Sequence, residues 1–248
     1  MHIETDGLVI KEQSTGESDR LITILTSKYG LVRAFANGGK TIKNKNLAGT
    51  QLLAYSDFVL YQGKDAYNVN EAKEKEVFFD LRSNIDNLSL AFYLAELFGE
   101  LAPEAAECEE LLKLLLNCLF LLSKEKLPSA QVKSIAELRA LALSGYAPSL
   151  IACEECGTFE SDIMYFDIKR GTLRCNVCGA QGFSAMPLSI SSVTAMRHIV
   201  FSEPKKVFDF TLTDKALLEL SAVTEAYVKE HVDKHFKTLD FLKSLQGI

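Results

Sequence analysis

The sequence predicts an α+β chain: a small five-stranded barrel first, then helices interrupted by a cysteine-rich insert. Three observations carry that reading. Short β-branched runs separated by turn residues fill the first 80 positions, the apolar period changes to 3.6 from about Leu81, and two Cys-x2-Cys pairs stand 18 residues apart. A length of 248 residues allows one or two domains at roughly 150 residues each. The expected division is a barrel domain over 1–80, a helical domain over 81–150 and 183–248, and the insert over 151–182.

Gly7-Leu8-Val9-Ile10-Lys11 reads as the first strand, with a turn at Ser14-Thr15-Gly16-Glu17. Arg20–Leu25 is the second, and Ser27-Lys28-Tyr29-Gly30 turns into the third, Leu31–Ala36. A polar loop over Asn37–Asn46 leads to Gln51–Tyr61, and Ala66–Glu71 is the fifth strand, with an extension toward Phe79. Five short strands suit a closed barrel of OB type, although periodicity does not separate it from an SH3-like one.

Leu88, Ala91, Phe92, Ala95 and Phe98 then share one helix face. Ala105–Leu122 is apolar nearly all round in its second half, which places it centrally. Ser129–Ser144 points Val132, Ile135, Leu138 and Ala142 inward and stops at Gly145. Tyr165-Phe166-Asp167 suggests a hairpin between the cysteine pairs, Ser191–Val200 is helical, and Thr213 is an N-cap for a long helix with Leu217, Leu220, Val223, Tyr227 and Val228.

Cys153, Cys156, Cys175 and Cys178 have the spacing of a four-thiolate metal site, with Gly157 and Gly179 following each pair to permit the turn. Four thiolates suit one structural zinc ion per chain and leave no open position for catalysis. Disulfides would need an oxidising compartment, and Met1–Asp6 carries no export signal. The most apolar run, Leu111–Leu122, carries Lys113 and Asn117 and falls short of the ~20 residues of a membrane span, so a cytoplasmic protein is expected. Cys108 and Cys118 read as buried hydrophobes. His231 and His235, i and i+4 on a predicted helix, have a spacing that can bind metal, but without an acidic partner motif they read as a solvated or core-edge pair. Glu109-Glu110 and Glu154-Glu155 read as solvated surface carboxylates.

The net charge of −6 argues at first against a phosphate-rich partner. From Arg20 to Ser56, however, there is no acid, while Arg20, Lys28, Arg33, Lys40, Lys43 and Lys45 give +6 and leave −12 for the rest. With Tyr29, Phe35, Tyr55, Phe58 and Tyr61 interleaved, the stretch fits a nucleic-acid groove in which cations hold the backbone and some rings stack bases. Gly39-Lys40-Thr41 resembles the end of a P-loop, but Ala34 stands where the first glycine belongs and no helical pattern follows. No catalytic constellation stands out, so a non-enzyme is expected.

Four stretches together resemble the RecO family of bacterial recombination mediators and DNA-repair proteins: Thr5–Ile10 with Gly16–Ile22 and Thr26–Gly30; Glu137–Arg139 through Leu143–Pro148 into Cys153 and Cys156; Tyr165-Phe166 through Gly171 to Cys175 and Cys178; and Phe236–Leu242. Gly38-Gly39-Lys40 departs from the arginine-containing run usual there, and Thr238 replaces a usual serine. The resemblance implies an OB-fold, a helical domain and a zinc module. It further implies binding of single- and double-stranded DNA near the nucleoid, annealing of complementary strands, and work with RecR and single-strand-binding protein in loading RecA. It also implies that the helical domain receives that protein's acidic, apolar-ended tail, for which Lys133 and Arg139 are the candidates. The competing reading is a zinc-ribbon scaffold that binds proteins without touching DNA.

Overall fold

The computed structural model describes residues 2–64, 66–179 and 185–247. The insert boundary expected at 182–183 lies outside the described residues. Residues group by contact into two compact units, Met1–Lys124 with Phe236–Ile248, and Glu125–His235.

The first unit opens with β1 (His2–Thr15), β2 (Asp19–Thr26), β3 (Gly30–Ala36), β4 (Ala54–Gln62) and β5 (Tyr67–Val77). They close into a barrel in the order β1-β2-β3-β5-β4. Neighbours are antiparallel except β3 and β5, which pair in parallel at Ala34–Tyr67 and Phe35–Asn68. β1 serves two partners, β4 along its first half and β2 along its second, and both meet it at Gly7. A Cβ at Gly7 would stand 2.5 Å from Ile24 Cγ2, so only glycine permits that crossing. The alternation that announced the strands points Val9, Ile22, Ile24, Val32, Ala34, Phe58, Leu60 and Ala72 inward to form the barrel core. β1 and β5 are longer than their apolar runs, because closing the barrel gives their polar ends a ladder partner. β4 starts later than expected, at Ala54, because Leu53 sits at φ 64° and turns the chain.

One mouth of the barrel is closed by the connection between α1 (Ile85–Leu101) and α2 (Glu109–Ser123). Leu31 N–H donates to Pro103 O, and Cys108 N–H donates to Ser27 O. Gly30, at φ 61°, lies so close to the Pro103 carbonyl that any Cβ would collide with it. These bonds and the positive φ of Ala105 delay α2 relative to the expected start at Ala105. Asn84 caps α1 by accepting from the Asp86 and Asn87 amides.

Helix α1 is buried on more than the expected face. Leu90, Tyr93, Leu94 and Leu97 are covered along with Ala91, Ala95 and Phe98. Leu88 and Phe92 instead line a cavity of about 170 Å³ with Leu52, Leu53, Val77, Phe78 and Arg82. The added burial comes from α6 (Lys237–Gln246), where Phe236 meets the edge of Tyr93 at 5.5 Å and Thr238 donates to Glu96 at 2.6 Å.

The second unit holds α3 (Ser129–Leu143), α4 (Ile190–Phe201) and α5 (Asp214–His231) with a four-stranded sheet. The sheet order is β6 (Ser149–Cys153), β8 (Thr172–Cys175), β7 (Ile163–Asp167), β9 (Ala185–Ser189). The expected hairpin is β7–β8. Thr213 caps α5 through the Ala216 amide. The helix ends at His231, so His235 lies beyond it rather than on the same face. Contact grouping follows packing partners and cuts across the helical segment 81–150.

Candidate nucleic-acid interface and metal centre

The six cations of the acid-free stretch do not form one cluster. Arg20 is spent on Glu12 across the β1–β2 ladder, Nε to Oε1 at 3.2 Å, with only 13% of its side chain exposed. Lys28 is exposed in the β2–β3 turn, at the mouth closed by the α1–α2 connection. Arg33 is exposed on β3 opposite Thr23. Lys40, Lys43 and Lys45 stand at the other end of β3, roughly 20 Å of strand from Lys28 at ~3.3 Å per residue.

Those three lysines ride on a connection with no helix or strand of its own, held from two sides. On one side Gly38 N–H donates to Asp19 Oδ1 at 2.7 Å, Lys40 N–H to Ser18 O at 3.0 Å, and Lys40 Nζ to Gly16 O at 3.3 Å. On the other, Asn46 Oδ1 accepts from Ala72 N–H at 3.1 Å, and Asn46 Nδ2 donates to Asn70 O. Asn44 ties the middle by donating to Asn37 O. Lys43 and Lys45 are exposed and carry no acidic partner among the described residues. The loop therefore presents cations to solvent from a fixed backbone.

Strand register sorts the aromatics. Leu21, Phe35, Asn68 and Tyr61 face one another across β2, β3, β5 and β4, on the side opposite the core row. Phe35 is half-buried and Tyr61 is 57% exposed. Phe58 fills the core and Tyr29 packs against it. Tyr55 donates to Asp6 Oδ2 at 2.7 Å beneath Lys75. Arg33, Phe35 and Tyr61 thus share the outer barrel surface.

Lys133 and Arg139 serve the interior of their own unit. Lys133, 6% exposed, sits 2.9 Å from Glu137 Oε1 and 3.0 Å from Glu225 Oε2. Burial would lower its pKa, but the two carboxylates outweigh it and hold the ammonium above its usual value. Arg139 donates to the Ile199 and Val200 carbonyls at the end of α4. Glu137 stands one helical turn from Lys133, whereas Glu225 and the Ile199 and Val200 carbonyls lie far along the chain and leave no local signal.

The four cysteine sulfurs of the insert lie within 4.8 Å of one another, and none is in a disulfide. A tetrahedron with legs of about 2.3 Å has edges of about 3.8 Å, so the cluster can hold a metal ion after small adjustment. Cys153 and Cys175 are buried at strand ends, and Cys156 and Cys178 are more open. The expected turns form, with Gly157 and Gly179 at φ 73° and 75° donating back to the carbonyls of Cys153 and Cys175. Burial raises the Cys153 pKa, but backbone hydrogen bonds from Cys175, Cys156 and Glu155 outweigh it and favour the thiolate. Hydrogen bonds from Thr158 bring Cys156 down to about 6, whereas hydrogen bonding with Cys156 and Cys175 pushes Cys178 up to about 12. A divalent ion held by the four sulfurs would offset the charge of their thiolates.

Beside the sulfurs, Arg174 Nε donates to Glu154 Oε1 at 2.7 Å, and its Nη2 reaches Glu155 at 3.1 Å. The adjacent glutamates are therefore a clamp on Arg174 rather than idle surface. Arg197 of α4 gathers the Leu150, Ile151 and Phe159 carbonyls onto the same module.

Known proteins match the sequence of this chain along nearly its whole length. A family model described as recombination protein O N terminal covers residues 1–78, and one described as recombination protein O C terminal covers 82–240. The chain belongs to the RecO family. DNA repair protein RecO of Acetivibrio thermocellus is 37% identical over 100% of this chain and 98% of its own length. DNA repair protein RecO of Alkaliphilus metalliredigens is 32% identical, over 99% of this chain and 100% of its own.

The N-terminal RecO model ends where the barrel does, and the C-terminal RecO model runs from Arg82 through the cysteine module into α6. RecO is a family of DNA repair and recombination proteins, and no helix among the described residues is long and apolar enough to cross a membrane. In this RecO chain Gly39-Lys40-Thr41 is followed by successive turns, so no helix N-terminus faces a phosphate there. Sequence reasoning passed over Asp19 and Asn46, which hold the lysine loop, and Arg82, which stacks on Phe79 beside the cavity. An acid bordering a basic run was the one available hint.

Proposed function

We propose that the barrel binds single-stranded DNA across its outer β2–β3 surface and the 37–46 loop, and that the protein uses this site to anneal complementary strands. The observation that carries the reading is the placement of Lys40, Lys43 and Lys45 on a two-sided stapled loop next to an outer barrel surface that holds Arg33, Phe35 and Tyr61. Fixed cations offset phosphate repulsion, and ring faces stack bases for about 1–3 kcal/mol each without reading sequence. Annealing asks for charge neutralisation and alignment of two strands, not bond chemistry. Duplex DNA would engage the same cations with less help from the rings.

The wider reading follows the family: cooperation with RecR and with the tail of single-strand-binding protein, in loading RecA on coated strands. The cysteine module is assigned one structural zinc held by Cys153, Cys156, Cys175 and Cys178. The tail site is not built on Lys133 or Arg139, whose charges are used within their unit.

The test is a salt titration of a labelled single strand, with and without its complement. Log affinity should fall linearly with log salt, and annealing should run faster with protein than without. Absence of both would leave the protein-only scaffold as the better account. Charge-reversing Lys43 and Lys45 should weaken binding whatever the sequence; an unchanged salt slope would remove the loop from the site.

A further inference from the structure

Asp19 is the last acid before the acid-free stretch, and it lies directly under the lysine loop. It opens β2 opposite Thr15 and is half-buried. Its Oδ1 accepts from the Gly38 amide at 2.7 Å and from Ser18 Oγ at 3.3 Å. Gly38 is at φ 62°, a conformation glycine takes without strain, and this aims its N–H at the carboxylate. From that bond the turn propagates: Thr41 N–H returns to Gly38 O at 2.9 Å, Lys40 N–H goes to Ser18 O, and Asn44 N–H goes to Thr41 O. Lys43 follows the turn so fixed, and Lys45 lies one residue beyond Asn44.

We propose that Asp19 is a positioning residue for the DNA-binding loop: its carboxylate oxygen holds the Gly38 amide and so sets the backbone from which Lys40, Lys43 and Lys45 meet phosphate. The inference rests on the DNA reading above and adds a residue of the opposite charge to it. Electrostatics alone says the reverse of positioning. A negative charge beside a polyanion site opposes binding, so any neutral replacement should tighten it. Geometry says that only a neutral replacement keeping an acceptor at Oδ1 should do so.

Asp19→Asn keeps the acceptor and removes the charge; Asp19→Ala removes both. The two variants have the same net charge, so their difference isolates the hydrogen bond. The measurement is the affinity of the full chain for a labelled oligothymidine from low to moderate salt. Asp19→Asn is expected to bind as well as the unsubstituted chain or a few-fold more tightly. Asp19→Ala is expected to bind at least about fivefold more weakly than Asp19→Asn, with a log–log salt slope shallower by about one to two as phosphate contacts are lost. Equal affinities and slopes for the two variants would overturn the proposal. So would a weaker Asp19→Ala with an unchanged slope, because loss of folded protein lowers the active fraction but not the number of phosphates neutralised. If the unsubstituted chain shows no salt-dependent affinity, the DNA reading itself fails, an outcome separate from a difference between two variants of a binding protein.

Discussion

Gly171 turns directly beneath the hydroxyl of Tyr227, so close that a Cβ on the glycine would stand 2.7 Å from the phenolic oxygen. Gly171 lies between β7 and β8 at φ 65°, and Tyr227 comes from α5. The same ring meets Phe166 of β7 at 5.4 Å, and its hydroxyl donates to Tyr146 O at 3.1 Å. One aromatic thus joins helix, hairpin and the chain entering the cysteine module.

Gly171→Ala combines left-handed backbone strain with overpacking, each costing about 1–3 kcal/mol. A loss of about 2–4 kcal/mol in denaturant unfolding is expected. Tyr227→Phe in the same chain should return part of it by removing the atom that Cβ meets. A loss below ~0.5 kcal/mol would mean that α5 and the hairpin separate without strain.

Lys133 and Glu137 form a buried pair, with Glu225 and the Thr224 hydroxyl completing it. Lys133→Met leaves Glu137 buried without its cation, so about 3–5 kcal/mol should be lost, and Lys133→Met with Glu137→Gln should cost less than Lys133→Met alone. The pH dependence has a fixed sign. The folded Lys133 pKa lies above its usual value, so its contribution is whole below the unfolded pKa of about 10.4 and fades as pH rises through the folded one. In alkaline unfolding curves Lys133→Met should lack that decline; an identical decline would assign it elsewhere.

Asp6 joins three parts of the barrel unit, accepting from Ser27 in the β2–β3 turn and from Tyr55 in β4. Burial raises its pKa, but the Ser27 and Tyr55 hydrogen bonds prevail and hold it below the usual carboxylate value. The stabilisation is therefore present above the unfolded pKa of about 3.9 and lost as pH falls through the lower folded value. Asp6→Asn should flatten that acid limb of the stability curve. An unaltered limb would show that Asp6 titrates alike folded and unfolded.

What the sequence revealed depended on how local each signal is. The barrel showed itself because inward residues such as Ile22, Ile24, Val32 and Ala34 alternate within single strands. The cysteine cluster showed itself because each pair falls within four consecutive residues. The parallel closure of β3 on β5, the lid at Pro103, and the docking of Phe236 on Tyr93 join distant segments and have no periodic trace. The same physics explains the cations. Acid-freeness is a property of the chain, but Glu12 reaches Arg20 across a ladder, so a basic count overstates the free charge. Asp19 shows the converse: an acid read as a boundary holds the basic loop in place.

The metal assignment gives the last prediction. Freshly purified protein should contain one zinc per chain, and Cys175→Ser should contain none, because Cys175 is buried at the end of β8 and cannot be replaced by a neighbouring donor. The comparison variant is Cys108→Ser, a buried thiol outside the cluster whose pKa burial raises to about 11, which should keep its zinc. Chelation should loosen the module selectively. Hydrogen exchange should accelerate at β6 and β8, where Glu154 N–H bonds Leu173 O at 2.8 Å, and stay slow in the barrel strands. Equal zinc in both variants would place the metal away from these sulfurs. Uniform exchange across both units on chelation would mean that the ion supports the whole chain and not the module alone.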